Sequence, residues 1–160
     1  MNQLMNLIKP ESIFFLNDAK SNAEILSFAA DRLFEKNIVK DTFKDALLQR
    51  EKEFPTGLPT QGAGVAIPHT ESPFVIENQV AILILSQPVP FQMMGVPDHQ
   101  VDVSIVFLLA LTKAESHLEI LKELMHIIQT PTLLRAILQS KKVEEVLDSI
   151  QSFVLSEGNQ

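Results

Sequence analysis

Four histidines, at positions 69, 99, 117 and 126, are the side chains best suited to chemistry in this chain of 160 residues. An ordinary imidazole has a pKa of about 6.5, so near neutrality much of it is uncharged and one ring nitrogen carries a free lone pair. Such a group can act as a nucleophile without a separate strong base. The chain has no Cys, which excludes a thiol nucleophile, a disulfide framework, a thiolate zinc site and an iron–sulfur cluster.

The histidines differ in setting. His69 follows Pro68 at the end of the apolar run Val65-Ala-Ile67, where the chain leaves a strand, and ligands of open α/β sheets collect at strand ends. Pro68 fixes its own φ and restricts Ile67, so the ring is presented from a stiff support. His117 lies in the first turn of a helix predicted over residues 114–129. At about 100° per residue it falls near the middle of the stripe formed by Leu118, Ile120, Leu121, Leu124, Met125, Ile127 and Ile128. Two readings stand for it: a core histidine satisfied by a hydrogen bond, or a site residue at a helix N-terminus that favours anions. His126 falls about 180° away from it, among Glu119, Lys122 and Glu123, as a solvated residue, so the two cannot share a metal ion. His99, after Pro97-Asp98, reads as a turn residue.

Arg50 is the cation to set beside them. On a helix over residues 42–53, with Phe43 at 0°, Leu47 falls at about 40° and Arg50 at about −20°. An arginine on an apolar face snorkels outward or binds something. Its guanidinium is a planar fork for phosphate oxygens, and a C-terminal cation favoured by the helix dipole is the plainer alternative. Thr56-Gly57 and Gly62-Ala-Gly64 could bring backbone N–H groups to an anion, with Thr56 the candidate side chain, although turn chemistry explains the same glycines. Glu71, two residues after His69, could orient the ring or be a solvated loop carboxylate. No Walker, dinucleotide, HExxH or Gly-x-Ser-x-Gly pattern is present. A metal-dependent hydrolase built on His69, His99 and Asp102 therefore has no motif behind it.

The elements that must position these residues follow from periodicity. Residues 12–16 read as a strand. Ser21 with Glu24 has capping-box spacing before Ile25, Leu26, Ala29, Leu33 and Phe34, and Asn37 can close that helix. Asp41 is the expected cap of the next helix, which the loop from Pro55 to Gly64 breaks. Strands are predicted over 65–67, 80–85 and 101–111; the last two are apolar enough to be covered on both faces. Residues 88–99 read as a Pro-containing connection between them. Helices over 114–129, 131–139 and 143–155 complete the chain, with Thr130-Pro131 as cap and first turn. This order argues for an α/β fold, a sheet sandwiched between helices, in one domain over residues 1–160.

Composition bounds the rest. The chain is 46% hydrophobic and 21% charged, with a formal net charge of −7, ten Phe and no Trp or Tyr. That balance disfavours nucleic-acid binding and makes the aromatics core filler. The N-terminus lacks the basic start and long apolar run of a signal peptide, and the longest apolar stretch, residues 105–111, is far short of the roughly 20 needed to span a bilayer. A cytoplasmic protein is expected, linked to a membrane only through a partner.

Arg50-Glu-Lys-Glu-Phe-Pro-Thr-Gly-Leu58, followed by Gly64-Val-Ala-Ile-Pro-His-Thr-Glu71, resembles the signature of the fructose/mannitol-type enzyme IIA family of the phosphoenolpyruvate-dependent sugar phosphotransferase system, and is most similar to its galactitol-type subgroup. The resemblance extends over almost the whole chain, including Ser116-His-Leu-Glu-Ile-Leu-Lys-Glu-Leu124. It implies a three-layer α/β fold, a mixed sheet flanked by helices on both faces. It implies that His69 accepts a phosphoryl group from the phosphocarrier protein HPr, through Nε2 as the family suggests, and passes it to a cysteine of a IIB component. Arg50 then matches a family arginine near the histidine and His117 a second histidine near the site. No cofactor or metal is implied, and the membrane IIC component is involved only indirectly. A regulatory module of the same fold, in which phosphorylation of His69 gates partner binding, is the alternative. A relay residue must meet two proteins, which predicts an exposed apolar apron drawn from Phe54, Leu58, Phe91, Met93 and Met94, with a loop tucked onto the core as the equal alternative for Phe91-Gln-Met-Met94.

Overall fold

The computed structural model describes residues 2–70, 72–112 and 114–158. The chain starts with a short helix α1 (Asn2–Leu7) that runs directly into strand β1 (Ile8–Leu16). Helices α2 (Asn22–Glu35) and α3 (Phe43–Glu53) follow. Ser21 caps α2 through its hydroxyl, which accepts the Glu24 N–H at 3.2 Å, while the Glu24 carboxylate reaches back to the N–H of Lys20. Asn37, at a φ of 60°, closes the helix: its N–H and that of Ile38 bond the carbonyls of Phe34 and Leu33. This is a left-handed cap of the kind Asn tolerates. At α3 the cap position is Thr42 rather than Asp41, and its side chain makes no capping bond.

Strands β2 (Gly57–Leu58), β3 (Gly64–Ala66), β4 (Gln79–Met93) and β5 (Val96–Ala110) complete a five-stranded mixed sheet. The expected connection over residues 88–99 is instead sheet. β4 and β5 form one long antiparallel hairpin whose only turn is Met94-Gly95, with Gly95 at a φ of 77°. The prolines that suggested a loop are accommodated because the register shifts between Ile84 and Val89, and β1 has already ended its parallel pairing at Leu85, leaving an edge where a missing N–H costs little. β1 runs parallel to β4, β3 parallel to β5, and β2 antiparallel to β3 while touching Met93 of β4. β3 lies so close to β5 that a Cβ at Gly64 would collide with the Asp102 carbonyl oxygen.

The near-continuous apolar strands sort their side chains by parity. Val80, Ile82 and Ile84 of β4 and Ile105, Phe107 and Leu109 of β5 face one core, shared with α4 (Ala114–Ile128), α5 (Pro131–Gln139) and α6 (Val143–Gly158). Ala81, Leu83, Leu85, Val106, Leu108 and Ala110 face the other, closed by α2 and α3. Helices therefore cover both faces of the sheet, the architecture expected for strands apolar on both sides. The buried Glu123 of α4 accepts the Leu4 N–H at 2.6 Å and so ties α1 to the same layer. Thr130 precedes Pro131 as the N-cap of α5, but its hydroxyl donates to the His126 carbonyl instead of capping.

Candidate functional site

His69 sits just beyond β3, at the end of the sheet's central region. Its segment stays aligned with β5: the Leu109 N–H donates to the Pro68 carbonyl at 3.0 Å, and His69 pairs with Leu109 as a parallel bridge. The half-buried ring is held by its own backbone, with Nδ1 at 2.9 Å from the Ile67 carbonyl oxygen. A carbonyl only accepts, so Nδ1 carries the hydrogen and the lone pair of the neutral ring is on Nε2. Burial pushes the His69 pKa down; the Arg50 guanidinium and His117 push it the same way, against the opposing effect of the Ile67 hydrogen bond. The fold thus favours an uncharged imidazole with its nucleophilic nitrogen free.

Arg50 comes from the last turn of α3, where Phe54 caps the helix by donating its N–H to the Arg50 carbonyl at 2.7 Å. Its guanidinium lies 4.4 Å from the centroid of the Phe54 ring, while Nε is buried without a hydrogen-bond partner. His117, half-buried near the start of α4, likewise has a buried Nε2 with no partner. Buried polar nitrogens are nearly always satisfied, and these two belong to side chains that both act electrostatically on His69. An anion with several oxygens, such as a phosphoryl group, can accept from the Arg50 Nε–H, and from His117 Nε2 when that nitrogen carries the hydrogen.

The other candidates are distributed differently. Thr56 is buried, 3% exposed, and its hydroxyl and N–H both donate to the two carboxylate oxygens of Glu51 at 2.9 Å. Those donors are engaged with protein and not turned toward an anion. Glu71 lies outside the described residues. His126 is exposed, its Nδ1 3.9 Å from Glu157 Oε2, on the side of α4 away from His117. His99 is on the exposed distal part of β5, a strand residue and not the turn residue that its Pro-Asp neighbours suggested. Among the described residues, no three His, Asp or Glu side chains gather as a metal ion would require.

The apolar apron divides. Phe54 is 57% exposed and Met94 is exposed; Leu58 and Met93 are partly buried; Phe91 is wholly inside the core beneath α2 and α3. Phe91 belongs to the inward parity of β4, which a connection over that segment would not impose. Leu118, 61% exposed beside His117, adds an apolar surface residue that the stripe calculation had placed inward. Glu51 is the residue that sequence reasoning missed. Its signal was its spacing: Phe43, Leu47 and Glu51 follow at intervals of four along α3 and all three are buried.

Comparison with known proteins adds three findings. A sequence model of the family described as phosphoenolpyruvate-dependent sugar phosphotransferase system, EIIA 2, matches residues 6–153. The galactitol-specific EIIA component of the phosphotransferase system of Escherichia coli K12 is 29% identical over 135 residues, covering 84% of this chain and 87% of that protein. Among solved structures, a IIA protein from Streptococcus mutans superposes with a TM-score of 0.77 at 21% identity, covering 94% of this chain and 92% of that one. The mannitol IIA protein of Escherichia coli, solved in complex with its phosphorylated IIB partner, superposes with a TM-score of 0.75 at 24% identity, covering 91% and 99%.

Proposed function

This chain belongs to the phosphoenolpyruvate-dependent sugar phosphotransferase system EIIA 2 family, and from that premise we propose that it is a phosphoryl carrier of sugar uptake: His69 takes the group from phosphorylated HPr and donates it to a cysteine of a IIB component. The observation that carries this reading is the contact of His69 Nδ1 with the Ile67 carbonyl oxygen. With Nδ1–H committed to the Ile67 carbonyl, the Nε2 lone pair attacks phosphorus while the donor's bond to phosphorus breaks, and the ring then holds the group as a labile phosphoramidate. A serine acceptor would hold it too firmly for a relay.

Phosphoryl transfer passes through a loose transition state, so the protein's task is positioning and stabilising charge on the equatorial oxygens. Arg50 Nε and His117 Nε2, buried and without protein partners, are the groups assigned to that task. The lowered proton affinity of His69 keeps the nucleophile available, and once the ring bears a dianionic group the nearby Arg50 guanidinium favours the phosphorylated state.

The likeness to the galactitol component supports galactitol or a similar polyol as the cargo of the associated transporter, and the likeness to the mannitol IIA protein bound to IIB supports a IIB protein as the acceptor. A net charge of −7 complements a basic docking patch on HPr.

Intact mass measured after incubation with phosphoenolpyruvate, enzyme I and HPr tests the reading. The parent chain gains one acid-labile phosphoryl group and the His69→Ala variant none; the phosphorylated chain then loses it to a IIB protein. Phosphorylation without onward transfer to IIB would make the chain a regulatory module, and no phosphorylation of folded protein would end the relay reading.

A further inference from the structure

The one buried acidic side chain on the apolar side of α3 has no place in the reaction above. Glu51 is 6% exposed, and its two carboxylate oxygens are taken up by a single residue: Oε2 accepts the Thr56 N–H and Oε1 the Thr56 hydroxyl, each at 2.9 Å. No ion pair to Glu51 occurs among the described residues, so the cost of desolvating a carboxylate here is offset only by these two bonds. Burial pushes its pKa up in spite of them. An apolar residue continuing the buried Phe43–Leu47 series would fill the position without that cost. The carboxylate is better explained by what it fixes.

What it fixes leads directly to the reacting ring. The Thr56 carbonyl accepts the Ile67 N–H at 3.3 Å, and the Ile67 carbonyl accepts Nδ1–H of His69 at 2.9 Å. β2 begins at the next residue, with Gly57 opposite Ala66. On its other side the same stretch is tied to β5 through the Pro68 carbonyl and Leu109. The Ile67 peptide is therefore clamped between β5 and Thr56, and Thr56 is clamped by Glu51.

We propose that Glu51 is a positioning residue for phosphoryl transfer: by holding the N–H and hydroxyl of Thr56 it fixes the Ile67 peptide, whose carbonyl sets the orientation and tautomer of His69. The proposal rests on the relay reading for its kinetic consequence, while its structural half stands independently of that reading.

The test uses the full chain and four single variants, Glu51→Gln, Glu51→Ala, Thr56→Val and Thr56→Ser. Long-range proton–nitrogen NMR reads the tautomer of His69, and the rate of phosphorylation by HPr is measured per folded molecule. The parent and Thr56→Ser, which keeps the hydroxyl, show Nδ1–H with a bare Nε2 and equal rates. Thr56→Val and the Glu51 variants show a mixed tautomer at His69, an unchanged exposed His126, and rates lower by about tenfold or more, the usual range for a group that orients a reacting residue. Folded variants that keep the parent's tautomer, or lose it with no change in rate, overturn the proposal. If the Glu51 variants do not fold, position 56 decides the matter, since Thr56→Val exchanges only the hydroxyl for a methyl while Thr56→Ser keeps the hydroxyl and drops only the methyl. If the parent chain itself is not phosphorylated, the relay reading fails, and the tautomer comparison alone decides whether Glu51 orients the ring.

Discussion

At the scale of single residues, the site is defined by what its polar atoms lack. A histidine whose proton affinity is lowered in the fold binds fewer protons than in the unfolded chain over the interval between its lowered pKa and about 6.5. The stability this gives is complete above about pH 6.5 and is lost as the pH falls through the lowered value. The His69 resonances should accordingly titrate with a midpoint below about 6.5, and His69→Ala should flatten the decline in stability across that interval. The two orphan nitrogens separate function from packing. Arg50→Ala is expected to slow phosphoryl transfer about 100-fold and Arg50→Lys to recover only part of that, because an ammonium cannot fork. His117→Leu removes a buried nitrogen that has no protein partner, so urea unfolding should show little loss of stability, or a gain, while transfer slows by about tenfold or more. A parallel loss of stability and rate in His117→Leu would make it a core histidine instead.

At the scale of elements, the placement of His69, the proposed acceptor, depends on how closely β3 can lie against β5. Gly64 pairs with Val103 and leaves no room for a Cβ against the Asp102 carbonyl and the Val101 side chain. Gly64→Ala should cost about 2–3 kcal/mol in thermal or urea unfolding, as overpacking does. Because His69 lies five residues further along the same chain and pairs with Leu109 of β5, the folded fraction of that variant should also be phosphorylated more slowly. Normal stability in Gly64→Ala would show that the two strands can part without consequence. The hairpin of β4 and β5 is the matching lesson in the other direction. Pro88, Pro90 and Pro97 mark a loop by composition, yet they lie in strands: the register slips between Ile84 and Val89, beside Pro88, with β1 pairing ended at Leu85, and slips again between Gln92 and Met93, opposite the stretch that holds Pro97.

At the scale of the whole molecule, charge and exposed apolar surface are what partners meet. With a formal net charge of −7, association with a basic phosphoryl donor should slow by about tenfold between low salt and 0.5 M salt in stopped-flow measurements. Phe54 and Leu118 stand exposed beside Arg50 and His117. Phe54→Ser should leave the unfolding free energy within about 0.5 kcal/mol of the parent, aside from the ring's contact with Arg50, and weaken complex formation several-fold. No helix among the described residues is long and apolar enough to cross a membrane.

Much of this was determined by the sequence alone. Local chemistry is written locally: the Ser21 and Asn37 caps of α2, the apolar strands that demand cover on both faces, and the stiff Pro68-His69 corner all depend on neighbours a few residues away. The angles at 100° per residue put Arg50 on the apolar side of α3, and the same arithmetic would have put Glu51 beside Leu47. Only the tertiary structure decided the rest, because it depends on which distant groups meet. Thr56 reads in sequence as a ligand or a turn residue and its hydroxyl is on Glu51; Phe91 reads equally as apron or core, and β4 running on past Pro88 places it in the core. The free state of Nε2 on His69 follows from a carbonyl two residues back that the ring turns to meet, and the unpaired nitrogens of Arg50 and His117 follow from helices that pack on opposite faces of one sheet. Hydrogen-bond partners are chosen by closure in three dimensions, which spacing along the chain does not encode.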